Sequence, residues 1–473
     1  MSGSKPRGLG ARLGVCAAAF LGGAIGLFNP GETSAQTLQA ALVEAYQNNP
    51  QLNAQRASVR ATDEAVPQAL SGYRPRVSVT ASGGDQFTRT RSLSSNGRTE
   101  SVTSGLFTPY TLSATASQTV FNGFQTGNKT RLAEGQVSAA REALRVLEQT
   151  VLLNAATVYM DLLRDSAIAD VQRSNVRVLG ETLKQVRDRF NVGEVTRTDV
   201  AQSEAQLAAG QFQLLTAESN LTTTQSNFRR IIGVDPGKLT PGAPVDRFAP
   251  PTLAAAIELS LQRNPSVTAA MYGIDVANIQ IKINEGALYP TMTLNGTAQK
   301  TWNSSLTNLE QNTLSAIASV TMPIYQGGSE YSLIRQSKES LTQQRLTLEQ
   351  VRSQARQSVV QAWGQVKATK SQIESAEAQV RSSETALNGV REEARVGQRT
   401  TLDVLNAQQA LVNARVTLVT AQHDRVIASY NLLNAVGLLS PQTLGLPTPV
   451  YDPRVHYDQI RDSWVGVRTP DGK

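Results

Sequence analysis

Two stretches decide the fold, Leu38–Pro50 (LQAALVEAYQNNP) and Leu253–Pro265 (LAAAIELSLQRNP). They align at an offset of 215, which also pairs Asn49 with Asn264 and Pro75 with Pro290. Further along, Gly123 pairs with Gly327, Gly193 with Gly397, Asp199 with Asp403 and Gly233 with Gly437, each at an offset of 204. The offset drops by 11 between Pro75 and Gly123, so one variable insertion separates stretches of preserved length. A period this long is no short solenoid repeat; it is a duplicated module. The chain divides into a first repeat over 36–240, a linker over 241–252, a second repeat over 253–439 and a Pro-rich segment over 440–473, expected to be an irregular tail. This division overrides the prior of about three domains that length alone suggests.

Residues 1–35 have the layout of a secretory signal. Lys5, Arg7 and Arg12 precede an apolar run from Leu13 to Phe28, Pro30 and Gly31 break it, and small residues follow up to Ala35. The run is short for a membrane span and no stop-transfer flank follows. Val15 before Cys16, inside the apolar run, does not suit lipidation at that cysteine. Cys16 is the only cysteine, so the mature chain has no thiol for disulfides or metal thiolates. Cleavage removes three positive charges and one negative one, taking the formal net charge from +7 to +5. The basic residues are interleaved with Glu and Gln along the chain, a solvated pattern rather than a nucleic-acid footprint. No later stretch has the length and apolarity of a transmembrane helix, so any membrane insertion must use β-strands.

Each repeat reads as helix, strand, loop, strand, long helix, break, helix. The first helices are expected at about 37–72 and 253–287, with Pro67 as a possible kink in one copy and Lys282 at the matching place in the other. The long segments at about 124–191 and 328–395 contain no Pro and would span on the order of 100 Å as helices. Val176, Leu179, Leu183, Val186 and Phe190 follow heptad steps, and Val380, Ser383, Leu387, Val390 and Ala394 occupy the matching places. In the last helix Val200, Leu207, Leu214, Leu221 and Phe228 recur every seven residues; Val404, Leu411, Leu418 and Leu432 match four of them, with Arg425 at the fifth. A seven-residue period predicts a left-handed supercoil, and Ser203, Gly210, Ala217, Ala407, Ala414 and Ala421 are small enough for close helix approach. Periodicity of this kind also fits an ordinary antiparallel bundle.

Between these helices the period changes to two. Val77, Val79 and Ala81 alternate with Ser78, Thr80 and Ser82; Leu112, Ala114 and Ala116 alternate with Thr111, Ser113, Thr115 and Ser117. In the second copy Met292 and Leu294, then Leu314, Ala316, Ala318, Val320 and Met322, alternate with Ser, Thr and Asn. Strands apolar on one face and hydroxyl-rich on the other suit an outer-membrane barrel with a wet lumen, and also a soluble half-buried sheet. The polar connections holding Arg89, Arg91, Ser94, Ser95, Asn96 and Arg98, and Asn303, Ser304, Ser305, Asn308 and Asn312, read as exposed loops that absorb the length difference.

Little points to an enzyme. His423 and His456 are isolated and read as a solvated helix-surface residue and a tail residue. No phosphate loop, nucleophile elbow or cofactor motif stands out, and no cofactor is implied. The breaks VGEVTRTDV from Val192 and VGQRTTLDV from Val396 read locally as helix ends: Gly193 and Gly397 suit left-handed caps, and Thr196–Asp199 and Thr400–Asp403 suit capping boxes. If several chains met at these turns, Asp403 and Asp199 would form carboxylate rings attractive to cations, and Arg399 could pair with them across chains.

At this point the chain resembles the outer-membrane factor family, the TolC-like channel-tunnels. The resemblance rests on the ALxxAxxxNP opening from Ala41 and its counterpart from Ala256, and on Tyr73–Pro75 and Tyr289–Pro290. It rests also on VFNGF at Val120, PIYQGG at Pro323 and the two VGxxxxxDV turns. The resemblance implies a mainly α fold with membrane β: long antiparallel coiled-coil helices forming an α-helical barrel, plus four transmembrane strands per chain. A homotrimer would complete a twelve-stranded β-barrel embedded in outer-membrane lipid. It implies a closable periplasmic entrance at the turns, where Gly193, Gly397, Val192 and Val396 would dock a periplasmic adaptor bound to an inner-membrane pump of the ABC or RND type. Asp403 matches the family's acidic entrance ring, and Arg399 and Asp199 match partners in the closed-state network. Asn406 stands where some members carry a second acid, making the ring less acidic, and Ala394 stands where they carry an aromatic, so the lock would use other contacts. The function so implied is a passive export duct for type I secretion or multidrug efflux. The rival from another class is a soluble or periplasmic coiled-coil structural protein without channel activity.

Overall fold

A computed structural model describes residues 36–93, 100–304 and 309–470. The signal segment, Ser94, Ser95, Asn96, Arg98, Ser305 and Asn308 lie outside the described residues.

The NP dipeptides break the first helices instead of lying inside them. Asn49 ends α1 (Leu38–Asn48) in an extended conformation, and its side-chain oxygen accepts hydrogen bonds from Gln51 N (3.0 Å) and Leu52 N (3.2 Å) to cap α2 (Pro50–Asp63). Proline disfavours a helical residue before it and has no N–H to lose at a helix start, so the pair ends one helix and begins the next. The expected helix over 37–72 is therefore three, the last being α3 (Ala65–Leu70). Its boundary falls at Glu64, and Pro67 sits in the first turn of α3, where a missing N–H costs nothing.

Four chain segments then form β1 (Arg76–Gly83), β2 (Gln86–Leu93), β3 (Glu100–Phe107) and β4 (Tyr110–Asn122). The variable insertion is thus not a loop. It builds a separate β2–β3 hairpin that carries Arg89 and Arg91 in strand. After β4 comes α4 (Gln125–Asn191), 67 residues long, and α5 (Arg197–Ile232), 36 residues long.

The second half repeats the order with α6 (Leu253–Arg263), α7 (Pro265–Gly286), β5 (Thr291–Trp302), β6 (Gln311–Thr321), α8 (Ser329–Arg395) and α9 (Thr401–Val436). Asn264 repeats the Asn49 cap, so the expected helix over 253–287 is also split. Asn312 lies in β6, not in a loop. Helices α8 and α9 have the same 67 and 36 residues as their counterparts. The chain is mainly helical, and none of its described helices is long and apolar enough to cross a membrane.

Helix α4 lies along α5, and α8 along α9, with α7 wedged against α4 and α8. Leu179, Leu183 and Val186 are buried at the α4–α5 seam, while Phe190 at its end is 42 % exposed. Facing them, the buried residues of α5 include Ser203, Gly210 and Ala217. A Cβ on Gly210 would sit 2.8 Å from Leu179 Cδ1, so glycine sets how closely the two helices approach.

The main core lies midway along α4. Leu42, Tyr46, Leu152, Tyr159, Phe228 and Leu433 are buried there together, each contributing roughly 1.5–3 kcal/mol. The chain after Ser440, expected to be irregular, instead forms α10 (Pro441–Leu444) and α11 (Arg454–Ile460), with Leu444 and Leu446 in that core. His456 lies 3.1 Å from the fully buried Asp63 carboxylate, so it fastens the tail to α2. His423 is also buried, not solvated: Nδ1 is 2.8 Å from Asp424 Oδ1 and Nε2 is 3.0 Å from Asp161 Oδ1 on α4.

Candidate functional site

The two turns between long helices are built alike. Val192 ends α4, and Gly193 at φ +80° places its N–H 3.0 Å from Phe190 O, while Glu194 N–H reaches Arg189 O at 2.9 Å. Gly397 at φ +79° follows Val396 in the same way, with Gly397 N–H to Ala394 O at 3.2 Å and Gln398 N–H to Glu393 O at 2.9 Å. This pair of hydrogen bonds satisfies carbonyls that a helix end leaves orphaned. A capping box then starts the next helix. Asp199 Oδ2 accepts from Thr196 N (2.9 Å) and Thr196 Oγ1 (2.7 Å), and Asp403 Oδ2 accepts from Thr400 N (3.0 Å) and Thr400 Oγ1 (2.9 Å).

Hydrogen bonds from Thr196 hold the Asp199 carboxyl below its ordinary range, helped by Arg189. Those from Thr400, backbone first, do the same for Asp403, with Arg399 nearby. Both acids therefore stay ionised through the neutral range. Arg399 donates from Nε to Glu393 Oε2 at 2.8 Å within its own chain. Asn406 is exposed one turn into α9. Within the chain each capping acid keeps to its own turn.

Sequence reasoning missed the partners. In the first copy the pair bracketing the turn is Arg189–Glu194 (3.0 Å); in the second it is Glu393–Arg399. Arg189 and Glu393 match at the offset of 204, so the charge before the turn is reversed between copies. That reversal was available to a position-by-position comparison. Arg187–Glu204 (2.6 Å) and Arg391–Gln408 (3.1 Å) hold matching places one turn deeper.

At the opposite end of α4 and α8 lies a four-stranded antiparallel sheet in the order β1-β4-β5-β6. Its register sorts the side chains by face. Rows such as Val79–Ala114–Ala298–Leu314 and Val77–Ala116–Gly296–Ala316 are apolar throughout. The intervening rows, Thr80–Ser113–Gln299–Thr313 and Ser78–Thr115–Thr297–Ser315, carry hydroxyls and amides. Ile317 is an exception on the polar face. The apolar face is bare: Val77 is 72 % exposed, Val79 69 % and Leu314 87 %. A soluble sheet would bury such a face against a helix, whereas among the described residues no helix covers this one.

Comparison with known proteins accounts for this arrangement. The family described as "Outer membrane efflux protein" matches residues 41–234 and again 256–438. The chain belongs to the outer membrane efflux protein family. It is 38 % identical over 439 residues to the outer membrane efflux protein BepC of Brucella suis, covering 93 % of each chain. It is 27 % identical to the outer membrane protein TolC of Vibrio cholerae, covering 86 % of this chain and 92 % of that one. Among solved structures, the Campylobacter jejuni CmeC outer membrane channel superposes with a TM-score of 0.76 at 17 % identity, covering 90 % of this chain and 89 % of that one.

Each of the four strands carries an apolar face and a hydroxyl-rich face. The chain is an outer-membrane export channel, which sets aside the coiled-coil structural alternative. Among the described residues no group of His, Asp and Glu has the geometry to hold a metal ion.

Proposed function

We propose that three copies of this chain close a twelve-stranded barrel continuous with a helical tunnel, and that the assembly is a passive duct with no chemistry of its own. The observation that carries this is the sheet with a bare apolar face and two edges, β1 and β6, left without partners among the described residues. Open edges are untenable in hydrocarbon, because each unpaired N–H and C=O costs several kcal/mol. Four strands are too few to close alone, the smallest barrels having about eight. In the sheet order β1 and β6 run antiparallel, so β6 of one copy can continue into β1 of the next without reversing direction. The hydroxyl rows then line the lumen.

The turns at Val192–Asp199 and Val396–Asp403 become the periplasmic entrance. They dock an adaptor protein joined to an inner-membrane pump of the ABC or RND type, and that pump supplies the energy for multidrug efflux or type I secretion. Three Asp403 carboxylates meeting at the mouth attract cations, and Arg399 is available to exchange its intrachain partner Glu393 for a carboxylate of a neighbouring copy. With Asn406 neutral, the ring carries less charge than a doubly acidic one. Val192, Val396, Gly193 and Gly397 form the exposed tips for the adaptor; both valines are 71 % exposed.

Single-channel recording in planar bilayers tests the duct: the expected result is a cation-selective conductance that Asp403→Ala makes less selective and less sensitive to polycation block. A wild-type protein without conductance would overturn the duct, and an unchanged Asp403→Ala selectivity would remove Asp403 from the ring.

A further inference from the structure

The segment following α10 runs as a strap along the first repeat, and its contacts advance in step with the chain beneath it. Thr448 meets Gln47 (2.9 Å), Tyr451 N–H donates to Tyr46 Oη (3.3 Å), and the Arg56 guanidinium lies over the rings of both Tyr46 and Tyr451. Next His456 meets Asp63, Tyr457 packs on Val66, Ala133 and Val137, and Arg461 approaches Glu134 at 3.7 Å. Finally Arg74 donates to Ser463 O (2.7 Å) and lies over the Trp464 ring at 4.3 Å. The strap therefore climbs from the core to the foot of β1, two residues before that strand begins at Arg76.

Its end changes character there. Trp464 is 69 % exposed, Val465 91 % and Val467 100 %, and Arg468 follows. Bare apolar residues at the end of an otherwise docked strap are unexplained by the chain itself. Val77, the first residue of the apolar strand face, is three residues past Arg74, or roughly 10 Å along a strand. Tyr73, Phe124, Tyr289 and Tyr325 are also exposed at this level. Tryptophan and tyrosine favour the boundary between hydrocarbon and headgroups, and arginine pairs with lipid phosphate.

We propose that residues 464–468 are an interfacial anchor, inserting Trp464, Val465 and Val467 into the phospholipid leaflet on the helical side of the membrane, with Arg468 at the headgroups. The second repeat is followed by this strap, whereas the first is followed by the linker over 241–252, so each copy of the chain supplies one such contact. The anchor rests on the proposed membrane span of the four-stranded sheet.

The chain has three tryptophans, Trp302, Trp363 and Trp464, which makes a direct test possible. In full-length protein reconstituted in phosphatidylcholine vesicles, Trp302→Phe with Trp363→Phe leaves only Trp464 emitting. The companion pair Trp363→Phe with Trp464→Phe leaves Trp302, at the far end of the membrane strand β5. Lipid brominated close to the acyl carbonyl is expected to quench most of the Trp464 emission, with little quenching by aqueous iodide. Changing Val465 and Val467 to Asp is expected to restore iodide quenching while the protein stays assembled. If Trp302 is quenched by brominated lipid while Trp464 responds only to iodide, the anchor is wrong and the barrel stands. If neither tryptophan responds to brominated lipid, the membrane span fails and the anchor with it.

Discussion

The two long helices α4 and α8 have equal length and equivalent caps, yet they live in different surroundings. Helix α4 buries twenty of its residues and α8 only nine. The difference is greatest midway along them. Leu152 and Tyr159 are fully buried, and their matches at an offset of 204 are Arg356, exposed, and Trp363, partly exposed. The cause is coverage: α4 packs against α1, α2, α7 and α9 as well as α5 and carries the terminal strap, whereas α8 meets α6, α7 and α9 and, among the described residues, no strap. In the proposed tunnel, equal lengths keep the wall level. Unequal coverage leaves α8 a face that, in the proposed trimer, is available to a neighbouring copy.

The strongest way to break this comparison is paired truncation. Leu152→Ala is expected to cost about 2–5 kcal/mol through the cavity it leaves, seen as a clear drop in thermal midpoint in detergent. Leu346→Ala on α8, 67 % exposed, should change an isolated copy by no more than about 0.5 kcal/mol. A comparable loss from both would show that the α8 face is buried in the assembly.

A second pair concerns the turns. Gly193→Ala and Gly397→Ala each force a Cβ into the left-handed region with no neighbour to clash, at a cost of about 1–2 kcal/mol. Equal thermal losses with unequal loss of export would assign the second turn the larger part in gating. Thr196→Ala and Thr400→Ala should each lose about 1 kcal/mol of helix capping, measurable as local hydrogen exchange at the start of α5 or α9. Equal exchange in variant and parent would mean that the Asp199 or Asp403 side chain alone suffices.

The smallest effect is a pH dependence peculiar to the second copy, since Ser219 stands where the first copy would match His423. Burial and the nearby Arg164 would lower the pKa of His423, but the Asp161 and Asp424 carboxylates outweigh them and hold it above its ordinary 6.5. A raised folded pKa stabilises fully below the unfolded value, and that contribution fades as pH rises through the folded value. The thermal midpoint should therefore fall from about pH 6 to about pH 8 in the parent and fall less in His423→Gln. Identical slopes would show that the imidazole is already neutral when folded.

Several features were legible because their causes are local. The Gly–Thr–Asp turns and the change of period from seven to two each depend on residues within a few positions of one another. The same locality explains the errors. The insertion looked like a polar loop because Thr and Arg alternate in it without an apolar side, although a hairpin only needs its two strands to pair. His423 looked solvated because its own helix neighbours are polar; Asp161, which buries it, is 262 residues away.

By itself the sequence determined the long helices and the turns that end them, the alternating strands between them, and that two halves share one plan. Those choices follow from backbone sterics, capping and side-chain period, which act between neighbours in the chain. Only the tertiary structure decided that β4 lies between β1 and β5, that all apolar rows share one face, and that the last residues climb the first repeat to the foot of the strands. Each of those depends on contacts between residues tens to hundreds of positions apart, whose energies exist only once the chain has brought them together.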